Sequence, residues 1–245
     1  MDNVYYESPA NFYYPANYTP WRSVFNWTFN YRTDSDIFSP NNFLAWRKSK
    51  DLMPDQFYLE IAKKKTKTAA WFVSNCITQA KREKYVEEMK KYIDIDIYGM
   101  CSNLTCSTSD SHICEQMLTT TYKFYLSFEN SLCKDYITEK FFRNFHFRSH
   151  IVPVARGGFD YDKYFPDDIL VNAAHFSTAK ELALYLKILG NDHERYARML
   201  KEKDKLVSVK IRLDWCSVCE KLHTETKSQV IPDIREWSHK GTCYN

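Results

Sequence analysis

The densest run of residues able to do chemistry is Ser127-Phe128-Glu129-Asn130-Ser131, followed shortly by Asp135-Tyr136-Ile137-Thr138-Glu139-Lys140. Carboxylates, amides and hydroxyls at the end of an apolar run, with a lysine at the start of the next helix, suit an anionic ligand such as a diphosphate. The helix start supplies amides and the positive end of a dipole, and Lys140 adds a cation. Glu139 would repel phosphate, so it reads better as an acceptor for sugar or ribose hydroxyls. The same residues could also form an ordinary Thr-capped helix with a first-turn glutamate, which is the commoner arrangement. A second cluster, Val73-Ser74-Asn75 with Arg82 about two turns into a following helix, would face the same ligand. A guanidinium can clamp a diphosphate with two parallel hydrogen bonds, although an Arg beside Lys81 and Lys84 is as readily a solvated helix face.

Other motifs are weaker. Asp34-Ser35-Asp36, Asp94-Ile95-Asp96 and Asp160-Tyr161-Asp162 each match a metal-binding DxD, and three matches to so short a pattern argue for chance. Cys216-Ser217-Val218-Cys219 reads as a zinc half-site, a redox pair or a short disulfide. No second CxxC or histidine pair completes a zinc pattern, so a Cys216–Cys219 bond is the preferred expectation. Asn17-Tyr18-Thr19, Asn26-Trp27-Thr28 and Asn103-Leu104-Thr105 are glycosylation sequons, and with eight cysteines they favour a secretory lumen over the cytosol. Cys101, Cys106, Cys114 and Cys133 could supply further bridges of undetermined connectivity.

The elements that must position these groups alternate. Residues 25–31 alternate large apolar with polar side chains, as a half-buried strand does. The lysine run at 63–67 reads as a solvated linker and sets a domain boundary. Beyond it, compact apolar runs at 69–74, 95–98, 124–128 and 151–155 predict strands. Segments 79–92, 113–118, 138–147 and 193–206 predict helices, and Thr178 with Glu181 makes a capping box for another. Repeated β-α-β units imply a parallel, doubly wound sheet whose ligand crevice lies at the carboxyl ends of its strands. From residue 207 onward no period is evident.

Composition narrows the classes. The 245 residues carry Lys+Arg 34 against Asp+Glu 31, a net charge of +3, which gives no electrostatic reason to expect nucleic acid. Only five glycines are present, and neither GxGxxG nor GxxxxGK[ST] occurs, so a nucleotide must be held without a glycine-rich phosphate loop. Residues 1–14 lack the pattern of a signal peptide, and no apolar run approaches the length that spans a bilayer. The sequence is therefore expected to begin inside a folded region, without a membrane anchor.

Taken in order, Glu7-Ser8-Pro9, Phe25-Asn26-Trp27-Thr28, Tyr31-Arg32, Asp34-Ser35-Asp36-Ile37, Val73-Ser74-Asn75 and the block from Tyr122 through Lys140 closely resemble the α1,3-fucosyltransferase family. Val152-Pro153-Val154, Pro166, Phe176 and the terminal Cys216 and Cys219 continue the resemblance, and Ser74-Asn75-Cys76 looks most like invertebrate members. It implies a GT-B architecture: a Rossmann-like α/β donor domain at 63–206 and a remnant of a second α/β acceptor domain at 1–62, with a tail at 207–245 carrying the CxxC. It further implies transfer of L-fucose from GDP-fucose, with inversion, to the 3-hydroxyl of GlcNAc in an N-glycan or glycoprotein. Residue by residue, Glu7 matches the general base, Arg82 and Lys140 the diphosphate contacts, and Ser74, Asn75, Glu129, Asn130, Tyr136 and Glu139 the donor site. The resemblance implies no required cofactor and no obligatory metal, with divalent-metal stimulation left open. It also implies Golgi-lumen residence, through an N-terminal anchor when the protein is full length. With six residues before Glu7, most of the acceptor domain is expected to be absent. That leaves a rival reading, a non-catalytic remnant that binds GDP-sugar or associates with a full-length enzyme. Asn41-Asn42 and Ala155-Arg156-Gly157-Gly158 depart from the family pattern.

Overall fold

The computed structural model describes residues 7–11, 17–48, 51–106, 111–146, 149–210 and 215–244. In chain order the strands are β1 (Phe29–Asn30), β2 (Ile37–Phe38), β3 (Asn42–Trp46), β4 (Lys67–Phe72), β5 (Ile95–Tyr98), β6 (Tyr122–Phe128), β7 (Val152–Arg156), β8 (Val171–Asn172) and β9 (Leu206–Lys210). The α-helices are α1 (Asp55–Lys64), α2 (Arg82–Met89), α3 (Ser111–Thr121), α4 (Glu139–Phe142), α5 (Tyr161–Tyr164), α6 (Ala179–Asn191), α7 (His193–Asp204), α8 (Trp215–Thr224) and α9 (Ile234–His239).

Strands β4 to β8 form one parallel sheet in the order β5-β4-β6-β7-β8. Its central strand, Tyr122-Lys123-Phe124-Tyr125-Leu126-Ser127-Phe128, is buried along nearly its whole length, because a parallel strand with helices on both faces meets no water on either. On one face Trp71, Phe124, Leu126, Phe128, Val152 and Val154 pack with Leu182, Leu186 and Leu189 of α6. The opposite face carries Ala70, Leu118, Tyr125 and Ile151. The expected strands and their parallel winding are therefore present. Thr178 caps α6 by accepting the Glu181 N–H at 3.1 Å. The reciprocal arm of the box is shifted by one residue, since the Glu181 carboxylate accepts from Ser177 N–H at 2.9 Å.

Several expectations are corrected. The lysine run is no solvated linker: Lys63 and Lys64 close α1, and Lys67 opens β4. Lys65 is buried, with its ammonium donating to the carbonyls of Thr119 and Tyr122 at 2.5 and 2.7 Å. It satisfies carbonyls at the end of α3, where a cation is favoured. Only Phe29–Asn30 of segment 25–31 is a strand, paired parallel with Ile37–Phe38; Asn26 leaves that line to exchange hydrogen bonds with Gln229. The helix expected at 138–147 is a single α-turn continued as a 3₁₀ turn at Arg143–Phe145, and residue 147 lies outside the described residues. The unperiodic C-terminal region contains β9, which pairs antiparallel with β3, as well as α8 and α9.

The Cys216–Cys219 bond is not formed. Both residues lie exposed on α8, and residues three apart on a helix hold their Cβ atoms about 5–6 Å apart, beyond the roughly 3.5–4.5 Å a disulfide requires. The bridges are Cys76–Cys101, Cys106–Cys114 and Cys133–Cys243.

Candidate active site

The chain runs from β4 to β5 on one side and returns to β6 on the other, so the sheet's topological switch point lies between β4 and β6. Ligands of doubly wound sheets bind just beyond the strand ends at such a point. The loops that emerge there are 73–81, after β4, and 129–138, after β6. They are bound together by Ala80 N–H donating to Asn130 O at 3.0 Å and Leu132 N–H donating to the Gln79 side chain at 2.8 Å. The disulfide between Cys76 and Cys101 fastens the first loop to the segment following β5.

Arg82 is the first residue of α2, not two turns into it. The helix begins late because Lys81 takes a left-handed conformation, φ 48°, which redirects the chain. This start puts the Arg82 side chain inside the crevice, 3% exposed. Its guanidinium donates to Phe128 O at 2.6 Å and to Asn75 O at 3.4 Å and lies 5.5 Å from the Trp71 ring centre. Its Nε is buried without a hydrogen-bond partner among the described residues. Burial lowers the Arg82 pKa, against the pull of Glu129. Ser74 and Asn75 are exposed beside it.

Glu129 is fully buried at the end of β6. Its carboxylate accepts from Thr138 N–H at 2.8 Å and Thr138 Oγ1–H at 2.9 Å, and lies 3.3 Å from Lys140 Nζ. Burial pushes its pKa above the ordinary carboxylate range, and Lys140 opposes that shift. Lys140 feels burial in the opposite sense, yet the carboxylates of Glu129 and Glu139 leave its pKa raised. The ammonium also contacts Thr138 Oγ1 at 2.8 Å and Glu139 at 3.1 Å. The amides expected to face an anion at this helix start are thus partly consumed: Thr138 N–H goes to Glu129, and Lys140 N–H to Thr138 Oγ1. Glu139 is the exposed member, its side chain 69% accessible.

Tyr136 is buried against Tyr31, ring centres 5.4 Å apart. Burial raises its pKa, and the charges of Glu129 and Glu7 raise it further. Glu7 is exposed at the rim, near enough for its charge to reach both tyrosines, with Asn11 Nδ2 donating to it at 3.4 Å. Asn130 is half-buried and its Oδ1 lacks a hydrogen-bond partner among the described residues. The structure therefore brings Arg82, Glu129, Asn130, Tyr136 and Lys140 to one crevice, with Ser74, Asn75, Glu139 and Glu7 at its margins.

Asp135 and Arg156-Gly157-Gly158 stand out in the sequence without a role attached, and the structure gives each one. Arg156 ends β7 and donates to Ala80 O at 3.0 Å, its guanidinium 4.6 Å from the Tyr85 ring; its place at the end of a strand was the available signal. Asp135, φ 60°, accepts from Thr33 N–H and Oγ1–H at 3.0 and 2.8 Å, tying the N-terminal segment to the loop after β6. The glycines have a packing reason. A Cβ at Gly157 would stand 3.2 Å from Glu129 Cγ, and one at Gly158 would stand 2.0 Å from Cys133 O.

The DxD motifs have local partners. Asp34 pairs with Arg32 and Lys134, Asp36 accepts from Thr28 and Gln229, Asp96 from Lys67 and Tyr122, and Asp162 from Asn172 and His175. Among the described residues, no group of three or more His, Cys, Asp or Glu is placed to hold a metal ion. Asn17 and Asn103 are exposed, whereas the Asn26 amide donates to Gln229 O at 2.7 Å and Thr28 is buried. No helix among the described residues is long and apolar enough to cross a membrane. Of two cavities of about 530 Å³, one lies beside β3 and reaches Tyr31 and Ile137, and the other lies between α1 and α7, away from the crevice.

A parallel α/β sheet with cations and a buried carboxylate at its switch point defines a Rossmann-like domain. Comparison with known proteins places it further. The sequence pattern of the glycosyltransferase family 10 (fucosyltransferase) C-terminal region matches residues 62–237. Glycoprotein 3-alpha-L-fucosyltransferase A of Drosophila melanogaster is 41% identical over 224 residues, covering 89% of this chain and 44% of the relative. Alpha-(1,3)-fucosyltransferase C of the same organism is 36% identical over 234 residues, 88% of this chain and 54% of the relative. A Caenorhabditis elegans alpha-(1,3)-fucosyltransferase is 32% identical over 250 residues, 97% of this chain and 56% of the relative. The crystal structure of an alpha1,3-fucosyltransferase with GDP-fucose superposes with a TM-score of 0.54 at 21% identity, over 69% of this chain and 50% of that one, and supports the fold. The chain belongs to glycosyltransferase family 10, the fucosyltransferases. It spans about half the length of the curated relatives it matches.

Proposed function

We propose that this chain carries the donor half of an inverting α1,3-fucosyltransferase that moves L-fucose from GDP-fucose to the 3-hydroxyl of GlcNAc in a glycoprotein glycan. The observation that carries the reading is the crevice at the switch point. There a buried guanidinium, whose Nε–H has no partner among the described residues, lies beside a fully buried Glu129 and its Lys140 counter-ion. Family membership and the donors named for the solved relatives, GDP and GDP-fucose, supply the ligand class.

Inversion requires an attacking hydroxyl, a base for its proton and stabilisation of the departing diphosphate. In this reading Glu7 takes the acceptor proton. Arg82 and Lys140 meet the charge that grows on GDP, so their pull is stronger in the transition state than in the ground state. Glu139 yields Lys140 to the diphosphate and turns to sugar hydroxyls. Glu129 stays behind Lys140, holding the ammonium and Thr138 in line. Ser74, Asn75, Asn130 and Tyr136 line the remainder of the donor site. The three disulfides suit an oxidising lumen, and residence in the Golgi is part of the same proposal.

The test is GDP-fucose turnover by the 245-residue chain from a secretory host, offered core N-glycans and GlcNAc-terminated acceptors, with linkage and anomer read by NMR. An α1,3-linked product is expected. GDP binding without product would favour the rival reading of a non-catalytic remnant.

A further inference from the structure

The segment carrying Glu7 is fixed to the donor side at one buried polar contact. Ser8 and Ser131 are both fully buried, and the Ser8 hydroxyl donates to Ser131 Oγ at 2.7 Å across 123 residues of sequence. Ser131 is two residues beyond Glu129, on the loop that lines the crevice. Ser8 follows Glu7 and opens a 3₁₀ turn, closed by Asn11 N–H donating to Ser8 O at 2.9 Å. Ala10 of that turn packs against the buried cluster of Tyr31, Cys133 and Tyr136. Glu7 itself is exposed, and its contact with Asn11 is long, 3.4 Å. A long, exposed side-chain contact cannot fix a carboxylate; the anchor has to come from the backbone next to it.

We propose that the Ser8–Ser131 hydroxyl pair is a positioning clasp that holds the Glu7 backbone at the mouth of the donor crevice, so that one loop sets both donor and base. The inference rests on the reading of Glu7 as general base. A fully buried hydroxyl pair is costly to half-remove, because the surviving hydroxyl is left unsatisfied, and nearly neutral to remove whole. Stability and positioning therefore respond differently to single and double substitution.

The test uses the full chain with Ser8→Ala, Ser131→Ala and the double variant. Each single variant is expected to lower kcat by about 10²-fold, the scale of a misplaced reacting group, with KM for GDP-fucose and the GDP Kd unchanged. The double variant should regain the melting temperature but not kcat. Amide hydrogen exchange across residues 7–11 should accelerate in all three. In a Glu7→Gln background, Ser8→Ala should cost no further activity. Recovery of kcat along with melting temperature in the double variant, or unchanged exchange at 7–11, would overturn the clasp. Wild-type transfer by Glu7→Gln would instead overturn the assignment of the base, and the exchange measurement would still decide the clasp.

Discussion

Replacing Lys140 by alanine should cost stability and donor affinity together, and the stability loss should depend on pH. Lys140 is the counter-ion of a fully buried glutamate, 3.3 Å away, and its own side chain is 23% exposed. Removing one partner of a buried pair typically costs about 3–5 kcal/mol. Water reaches Lys140, so the lower figure of about 3 kcal/mol applies. For a chain of this size that corresponds to a melting-point loss of about 6–12 °C. Burial already raises the Glu129 pKa in the folded protein, and loss of Lys140 raises it further. A carboxyl whose folded pKa lies above its unfolded value of about 4.3 destabilises the fold as pH rises through the folded pKa, and that cost disappears below the unfolded value. The Lys140→Ala deficit should therefore be smaller at pH 5 than at pH 8, because a raised Glu129 pKa means the fold takes up this proton before the unfolded chain does. Thermal unfolding followed by circular dichroism at the two pH values measures it directly. An equal deficit at both would refute the claim that an uncompensated Glu129 charge is its source.

Gly158→Ala should cost about 3 kcal/mol in urea unfolding, the upper end for overpacking, because its Cβ would meet backbone, the Cys133 carbonyl, at 2.0 Å; a near-neutral result would mean the loops do not pack as described. Burial lowers the His150 pKa to about 4, so its contribution is present above the unfolded value of about 6.5 and is lost as pH falls toward 4. His150→Phe, keeping the ring contacts with Phe57 and Tyr58, should flatten the stability profile between those pH values, whereas an unchanged acid limb would show that another group governs it.

The sheet was legible because its strands are compact apolar runs separated by helical periods; a run as short as Phe124 to Phe128 fits a strand buried on both faces better than a helix. The crevice residues on those strand ends were legible for the same reason. Arg82 was identified but misplaced, since nothing in Ala80-Lys81-Arg82 signals that Lys81 would turn left-handed and start the helix there. Lys65 was misread because a lysine run looks solvated until the carbonyls at the end of α3 are known. The tie between Ser8 and Ser131 could not be read at all: it joins segments 123 residues apart, and neither serine differs locally from a loop serine. The Cys216 expectation failed on a geometric point, the helical conformation of a stretch whose sequence shows no period.

In the proposed reaction one crevice holds GDP-fucose and presents it to Glu7. The most direct measurement is fucose transfer by the wild-type chain and by Glu7→Gln, with GDP affinity measured on the same preparations by calorimetry. Transfer by the wild type, its loss in Glu7→Gln, and the same GDP Kd in both are expected. Equal transfer by the two proteins, or no binding of GDP by either, would contradict it.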